Sequence, residues 1–132
     1  MYSYRAWNDR RRFQRLNVNL TVWYRIDTPL YLRNLLPEGD IEASMLDLSS
    51  GGMAFLAEYH IPAYTILVIK FVLFKTKNDG LVSVSEPIRI RGEVRSSIAM
   101  ESGKYRLGVC FKDVSMENKS EITGFVHDTS KI

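Results

Sequence analysis

Two short clusters in this chain hold residue types able to do chemistry. The first is RRRFQR, residues 10–15, where Arg11 and Arg15 stand four apart with Arg10 and Arg12 flanking the former. A guanidinium can bond a phosphate through two parallel N–H groups, bond the O6/N7 edge of guanine, or stack flat on a base. The second is DLSSGG, residues 47–52. Asp47 and Ser49 are two apart, so an extended chain puts them on one face. Gly52 falls where the backbone must turn sharply or let something approach closely. A carboxylate, a hydroxyl and a close backbone at one place suit a polar planar group, whose ring N–H and amino donors the carboxylate accepts. The arginines alone leave three readings open: a solvated basic terminus, a grip on nucleic acid, or a small-anion site.

Charge distribution weighs among them. Arg5, Arg10, Arg11, Arg12 and Arg15 crowd the start, opposed only by Asp9, while the whole chain carries a formal charge of only +3. A local basic focus on a near-neutral body suits a localised anion better than a long nucleic-acid track. One ligand asks for both clusters at once. A guanine nucleotide offers donors for Asp47, and edges and phosphates for the arginines. Other chemistry finds little footing. His60 and His127 lack ligand-like spacing, so no metal is expected, and no nucleophile–base pair or carboxylate dyad emerges, so no enzyme is expected. The single cysteine, Cys110, fits a reducing compartment. ILVIKFVLF is interrupted by Lys70 and too short to span a bilayer, and MYSYRAWNDRRRF lacks the apolar centre of a leader. A cytoplasmic protein without membrane insertion is the expectation.

The elements that must position these clusters read mainly as strands. Residues 1–9 show no periodicity and read as a flexible arm, 10–128 as one domain, and 129–132 as a tail. From Asn17 to Tyr24 the period is two, with Val18, Leu20, Val22 and Tyr24 on one face. DTPLYLRNLLPEGD is a connection holding a short helical turn. IEASMLDLSS and GGMAFLAEY are strand-like and meet at the Ser-Ser-Gly-Gly turn. TILVIKFVLF reads as one central strand, and KTKNDG as a hairpin turn. LVSVSEPIRIRGEVRSS reads as one long strand bent at Pro87 and Gly92, with Ile88, Ile90 and Val94 inward and Arg89, Arg91, Glu93 and Arg95 outward. KYRLGVCF turns Tyr105, Leu107, Val109 and Phe111 inward. Only the end changes period: Ile122, Phe125 and Val126 recur at helical spacing, with Ser115 as N-cap. Five to seven strands and a terminal helix predict a small antiparallel barrel or sandwich with the helix over an open edge or end.

The two clusters also carry a resemblance. Arg11 and Arg15 match an RxxxR motif, Asp47, Ser49 and Gly52 match DxSxxG, and the order is right, with IRGEV and YRLGVCF resembling closing strands. The chain from about Arg10 to Val126 resembles a PilZ domain. That resemblance implies a six-stranded antiparallel β-barrel with a C-terminal helix, binding the bacterial second messenger cyclic di-GMP. It implies that Arg11 and Arg15 grip phosphate and guanine, that Asp47 and Ser49 contact guanine and nearby polar groups, and that Gly52 lets the backbone pass close. Arg10, just before the first motif arginine, implies two intercalated ligand molecules. The implied signal is a change of shape read by a protein partner of a motility, secretion or biofilm system, with no cofactor besides the ligand and no nucleic acid. The competing readings are a divergent PilZ-like adaptor that ignores nucleotide, and an oligonucleotide-binding barrel. The link between Arg15 and Asp47 is long for the family because of TPLYLRNLLPEG.

Overall fold

The computed structural model describes residues 15–130. In chain order the elements are β1 (Leu16–Thr28), α1 (Leu30–Arg33), β2 (Ile41–Leu48), β3 (Gly52–Ala57), β4 (Ile66–Phe71), β5 (Phe74–Thr76), β6 (Val82–Val84), β7 (Ile88–Ala99), β8 (Tyr105–Asp113) and α2 (Met116–Ser130). Six strands close into a barrel in the order β1-β2-β3-β8-β7-β4, and every neighbouring pair is antiparallel. Closure leaves these strands no open edge to protect. The fold expected from the strand count and the family resemblance is the fold observed.

Alternation along the strands builds the interior. Val22, Tyr24 and Ile26 of β1, Met45 of β2, Phe55 of β3, Leu67 and Ile69 of β4, and Ile88, Ile90 and Val94 of β7 are buried together. Between them, Arg89, Arg91 and Arg95 stand exposed on the outside, as the period of two requires. Tyr24 packs its ring against Phe55 with centroids 5.1 Å apart. Burial pushes its phenol up, chiefly by desolvation, so it stays neutral at any ordinary pH. At Gly92 a Cβ would collide with the Val109 side chain, and the β7–β8 register shifts there. The ladder irregularity therefore falls at a residue whose neighbour leaves no room for a side chain.

Two strands expected to be continuous are divided. TILVIKFVLF breaks after Phe71, and LVSVSEPIRIRGEVRSS breaks before Ile88. Leu73 N–H donates to Ser85 Oγ at 2.9 Å and Ser85 N–H donates to the Leu73 carbonyl at 2.8 Å. These bonds clamp the base of a two-stranded ribbon, β5–β6, that leaves the barrel sheet. Its turn closes with Lys77 N–H on the Leu81 carbonyl at 2.7 Å and Gly80 at φ +85°. Pro87, lacking an N–H, stands where the chain re-enters the barrel.

The helix expected at the end is present and starts as expected. Ser115 Oγ accepts from Asn118 N–H at 3.1 Å, satisfying one of the orphan donors of the first turn. Ile122 and Val126 are buried in the core cluster, and Phe125 packs against it. The helix runs on to Ser130, past residue 128. The connection after β1 forms the single turn α1, with Leu32 and Leu36 against the core and Leu30, Tyr31 and Leu35 exposed. Arg33 ties it down, donating to the carbonyls of Ile26 at 3.1 Å and Asp27 at 2.9 Å.

Candidate functional site

Register places the acid cluster on the outer wall of the barrel. Asp47 of β2 lies opposite Ala54 of β3, and Ala54 lies opposite Gly108 of β8. Met45, two residues earlier, points inward, but a register irregularity between Met45 and Asp47 turns Asp47 outward. An outward carboxylate would ordinarily be solvated. This one is 7% exposed, the only charged side chain counted as buried among the described residues.

Two arginines cover it. Arg15 Nη1 donates to Asp47 Oδ1 at 2.6 Å, and Arg106 Nη2 donates to Oδ2 at 2.9 Å. Each oxygen thus has its own charge-assisted bond. Their side chains remain 36% and 37% exposed, against 10% for Asp47, so the cations keep solvent contact while the anion is enclosed. Burying a carboxylate costs free energy unless it is paired and hydrogen-bonded, and here both conditions hold. Arg106 stands one row along the wall, opposite Leu56, and reaches Asp47 diagonally across Ala54. The small Ala54 leaves that path open.

The SSGG turn follows directly on β2, the strand that carries Asp47. Ser49 is 1% exposed, and its Oγ accepts from the N–H of Gly51 at 3.2 Å and of Gly52 at 3.1 Å. Ser49 N–H donates to the Gly52 carbonyl at 2.9 Å. The hydroxyl is therefore engaged by the turn, as an ST-type brace. Gly52 has an equally concrete task. A Cβ there would overlap the Val109 carbonyl oxygen and lie 3.3 Å from that carbonyl's carbon and 3.4 Å from the Cα of Cys110. The close approach read from the sequence is made by the backbone of β8.

Of the residues singled out in the sequence, Arg15, Asp47, Ser49 and Gly52 converge on this region of the outer wall, while Arg10 and Arg11 lie outside the described residues. Arg106 escaped the sequence reading. Alternation with inward Leu107 and Val109 marks it as outward-facing, but nothing local ties it to an acid fifty-nine residues away. Elsewhere, Arg91 bridges Asp27 at 2.9 Å and Asp113 at 2.7 Å beside an open groove of about 360 Å³ that Arg25 and Arg89 also line. His60 Nδ1 meets Ser97 Oγ at 2.8 Å, and its ring lies against Tyr105. No helix among the described residues is long and apolar enough to cross a membrane.

A closed six-stranded barrel with a terminal helix and an arginine-covered aspartate on its outer wall defines a small antiparallel β-barrel class. The PilZ domain model matches residues 9–128, and the chain belongs to the PilZ domain family. Among solved structures it is similar to the Bacillus subtilis inhibitor of motility, MotI/DgrA, with TM-score 0.69 and 15% identity, over 92% of this chain and 51% of that one. It is similar to the PilZ domain of YcgR from Escherichia coli with c-di-GMP, with TM-score 0.59 and 15% identity, over 92% of each chain. It is also similar to the K. pneumonia MrkH–c-di-GMP complex, with TM-score 0.61 and 15% identity, over 92% of this chain and 52% of that one. The chain thus spans about half the length of the inhibitor of motility and of MrkH, and nearly all of the YcgR domain. No curated protein matches it in sequence.

Proposed function

We propose that this chain is a cyclic di-GMP receptor that changes conformation on binding and signals to a protein partner, in the cytoplasm and without catalysing a reaction. The observation that carries the reading is the meeting of Arg15 and Asp47, thirty-two residues apart in sequence, at 2.6 Å. One half of each family motif is thereby brought to one spot on the outer wall. Asp47 accepts the ring N–H and 2-amino donors of guanine, while Arg11 and Arg15 take phosphate and the guanine edge. Arg10 supports binding of two stacked ligand molecules.

Ser49 and Gly52 belong to the site through the turn they hold closed just after Asp47. Binding draws the arginine-bearing segment against the barrel, with charge-assisted bonds offsetting the entropy of ordering it. The partner reads the surface that results, and a motility, secretion or biofilm machine is the kind of partner the family supports.

Calorimetric titration with cyclic di-GMP, cyclic di-AMP, GTP and a short single-stranded DNA tests the reading. Heat with cyclic di-GMP alone, at a stoichiometry near two ligands per chain, is expected. Arg15→Ala and Asp47→Ala are expected to weaken binding at least a hundredfold, since each removes charge-assisted bonds worth about 1.5–3 kcal/mol apiece. No heat with the intact chain would end the proposal.

A further inference from the structure

Asp47 has two partners, and they differ in how free they are to leave. Arg15 precedes β1, whose first residue is Leu16, and stands outside the paired register, which begins at Leu16 against Leu48. Arg106 is the second residue of β8, and its backbone is registered against Leu56 of β3 on one side and Ile98 of β7 on the other. Arg106 belongs to neither the RxxxR nor the DxSxxG pattern. The two arginines also take different oxygens, Oδ1 for Arg15 and Oδ2 for Arg106. A carboxylate has about four lone-pair sites, so one guanidinium bond leaves room for two parallel donors from a guanine edge.

The carboxylate cannot stand unpaired at this burial, because an enclosed lone charge is strongly unfavourable. If guanine is to displace one arginine, the other must stay. We propose that Arg106 is the positioning residue of the site: fixed to the barrel wall, it keeps Asp47 paired and oriented so that guanine's N1–H and 2-amino group meet a preset acceptor when Arg15 turns to the ligand. This assignment rests on the cyclic di-GMP reading above. Its consequence is selectivity for guanine, which is separate from grip on phosphate.

The test compares cyclic di-GMP with cyclic di-IMP, whose base lacks the 2-amino group, by calorimetry on the intact chain, on Arg106→Met and on Arg106→Lys. Arg106→Met is expected to weaken cyclic di-GMP about tenfold to a hundredfold but cyclic di-IMP less than about fivefold, so the preference between them collapses. Arg106→Lys keeps the charge but not the rigid fork, and is expected to recover part of that preference. Should Arg106→Met fail to fold, the lysine variant carries the comparison, with an intermediate preference expected. Wild-type affinity for both ligands in the variants, or loss of both by one common factor, overturns the assignment. Absence of binding by the wild-type chain instead overturns the receptor reading, and this inference with it.

Discussion

Replacing Gly52 by alanine separates what the DxSxxG glycine does for the fold from what it does for a ligand. Gly52 has no left-handed φ, so alanine meets no backbone conformational penalty and the effect is purely steric. The added Cβ would overlap the Val109 carbonyl and press on the Cα of Cys110, and both are backbone atoms of the paired strand β8. Backbone in a closed ladder cannot rotate away. Overpacking of this kind costs up to about 3 kcal/mol. Alanine returns about 0.5–1 kcal/mol by restricting the unfolded chain, which leaves a net loss of about 2 kcal/mol. That corresponds to a fall in Tm of about 8 °C for a domain of this size. Gly108 provides the control, because a Cβ there would lie 2.6 Å from Ser96 Oγ, a hydroxyl that can change rotamer. Gly108→Ala is expected to be near neutral, within about 0.5 kcal/mol, and to stay so in a Ser96→Ala background, where the clash is gone. Urea unfolding followed by tryptophan fluorescence measures the wild type, Gly52→Ala, Gly108→Ala, Ser96→Ala and the Ser96→Ala/Gly108→Ala double variant. A Gly52→Ala variant no less stable than Gly108→Ala would refute the reasoning, and the glycine of the turn would need another explanation through the ligand.

Ser49→Ala removes the acceptor for two enclosed N–H groups and is expected to cost about 1–2 kcal/mol in a urea midpoint measurement. Ile122→Ala should detach the terminal helix from the core at a cost of about 2–4 kcal/mol, because Ile122 is fully buried, and its loss should appear as faster amide exchange along residues 116–128. The Asp40 carboxyl is held below its ordinary 3.8 first by the hydrogen bond from Lys70, with Arg25 adding to it. A carboxyl with a lowered folded value contributes stability that is fully present above 3.8 and lost as pH falls through the lower folded value. Asp40→Asn is therefore expected to be less stable than wild type at neutral pH, by under about 1 kcal/mol because the pair is exposed. The difference should vanish at the acid end of a pH series of thermal melts, and one that persists there would contradict the assignment.

Legibility in the sequence tracked how local the controlling physics is. Alternation in VNLTVWY and IRIRGEV needs only neighbouring residues, so the inward sets of β1 and β7 could be read directly. The Ser115 cap and the Ile122, Phe125, Val126 period did the same for the helix. The hairpin turn of the ribbon β5–β6 could be read, but its departure from the barrel could not, because that depends on Leu73 and Ser85, twelve positions apart, bonding to each other. The site was half legible for the same reason. The family spacing pointed to Arg15, Asp47, Ser49 and Gly52, yet the sequence put the hydroxyl of Ser49 beside the carboxylate, whereas the turn claims it. Arg106 needed the β2-β3-β8 strand order before it could be placed beside Asp47.

That strand order also explains why a charged site and a tightly packed barrel can coexist. Asp47 is buried on the outside of the wall, beside the small Ala54 and beneath two arginines, while Met45 and Leu48 on the same strand complete the interior. The core therefore makes no polar concession to the site. With both carboxylate oxygens already bonded to arginine, a ligand entering the proposed site exchanges the single Arg15 bond at Asp47 for the two donors of a guanine edge. The contribution of Asp47 to binding is the difference between those two states, which is smaller than the full worth of the new bonds. In the proposed site Asp47 then sets which base is accepted and supplies part of the affinity, and the rest comes from what the released Arg15 and the neighbouring arginines do with phosphate and base. A division of that kind accounts for the pairing of the two motifs, one acidic and fixed to the wall, the other basic and set where the chain enters the barrel.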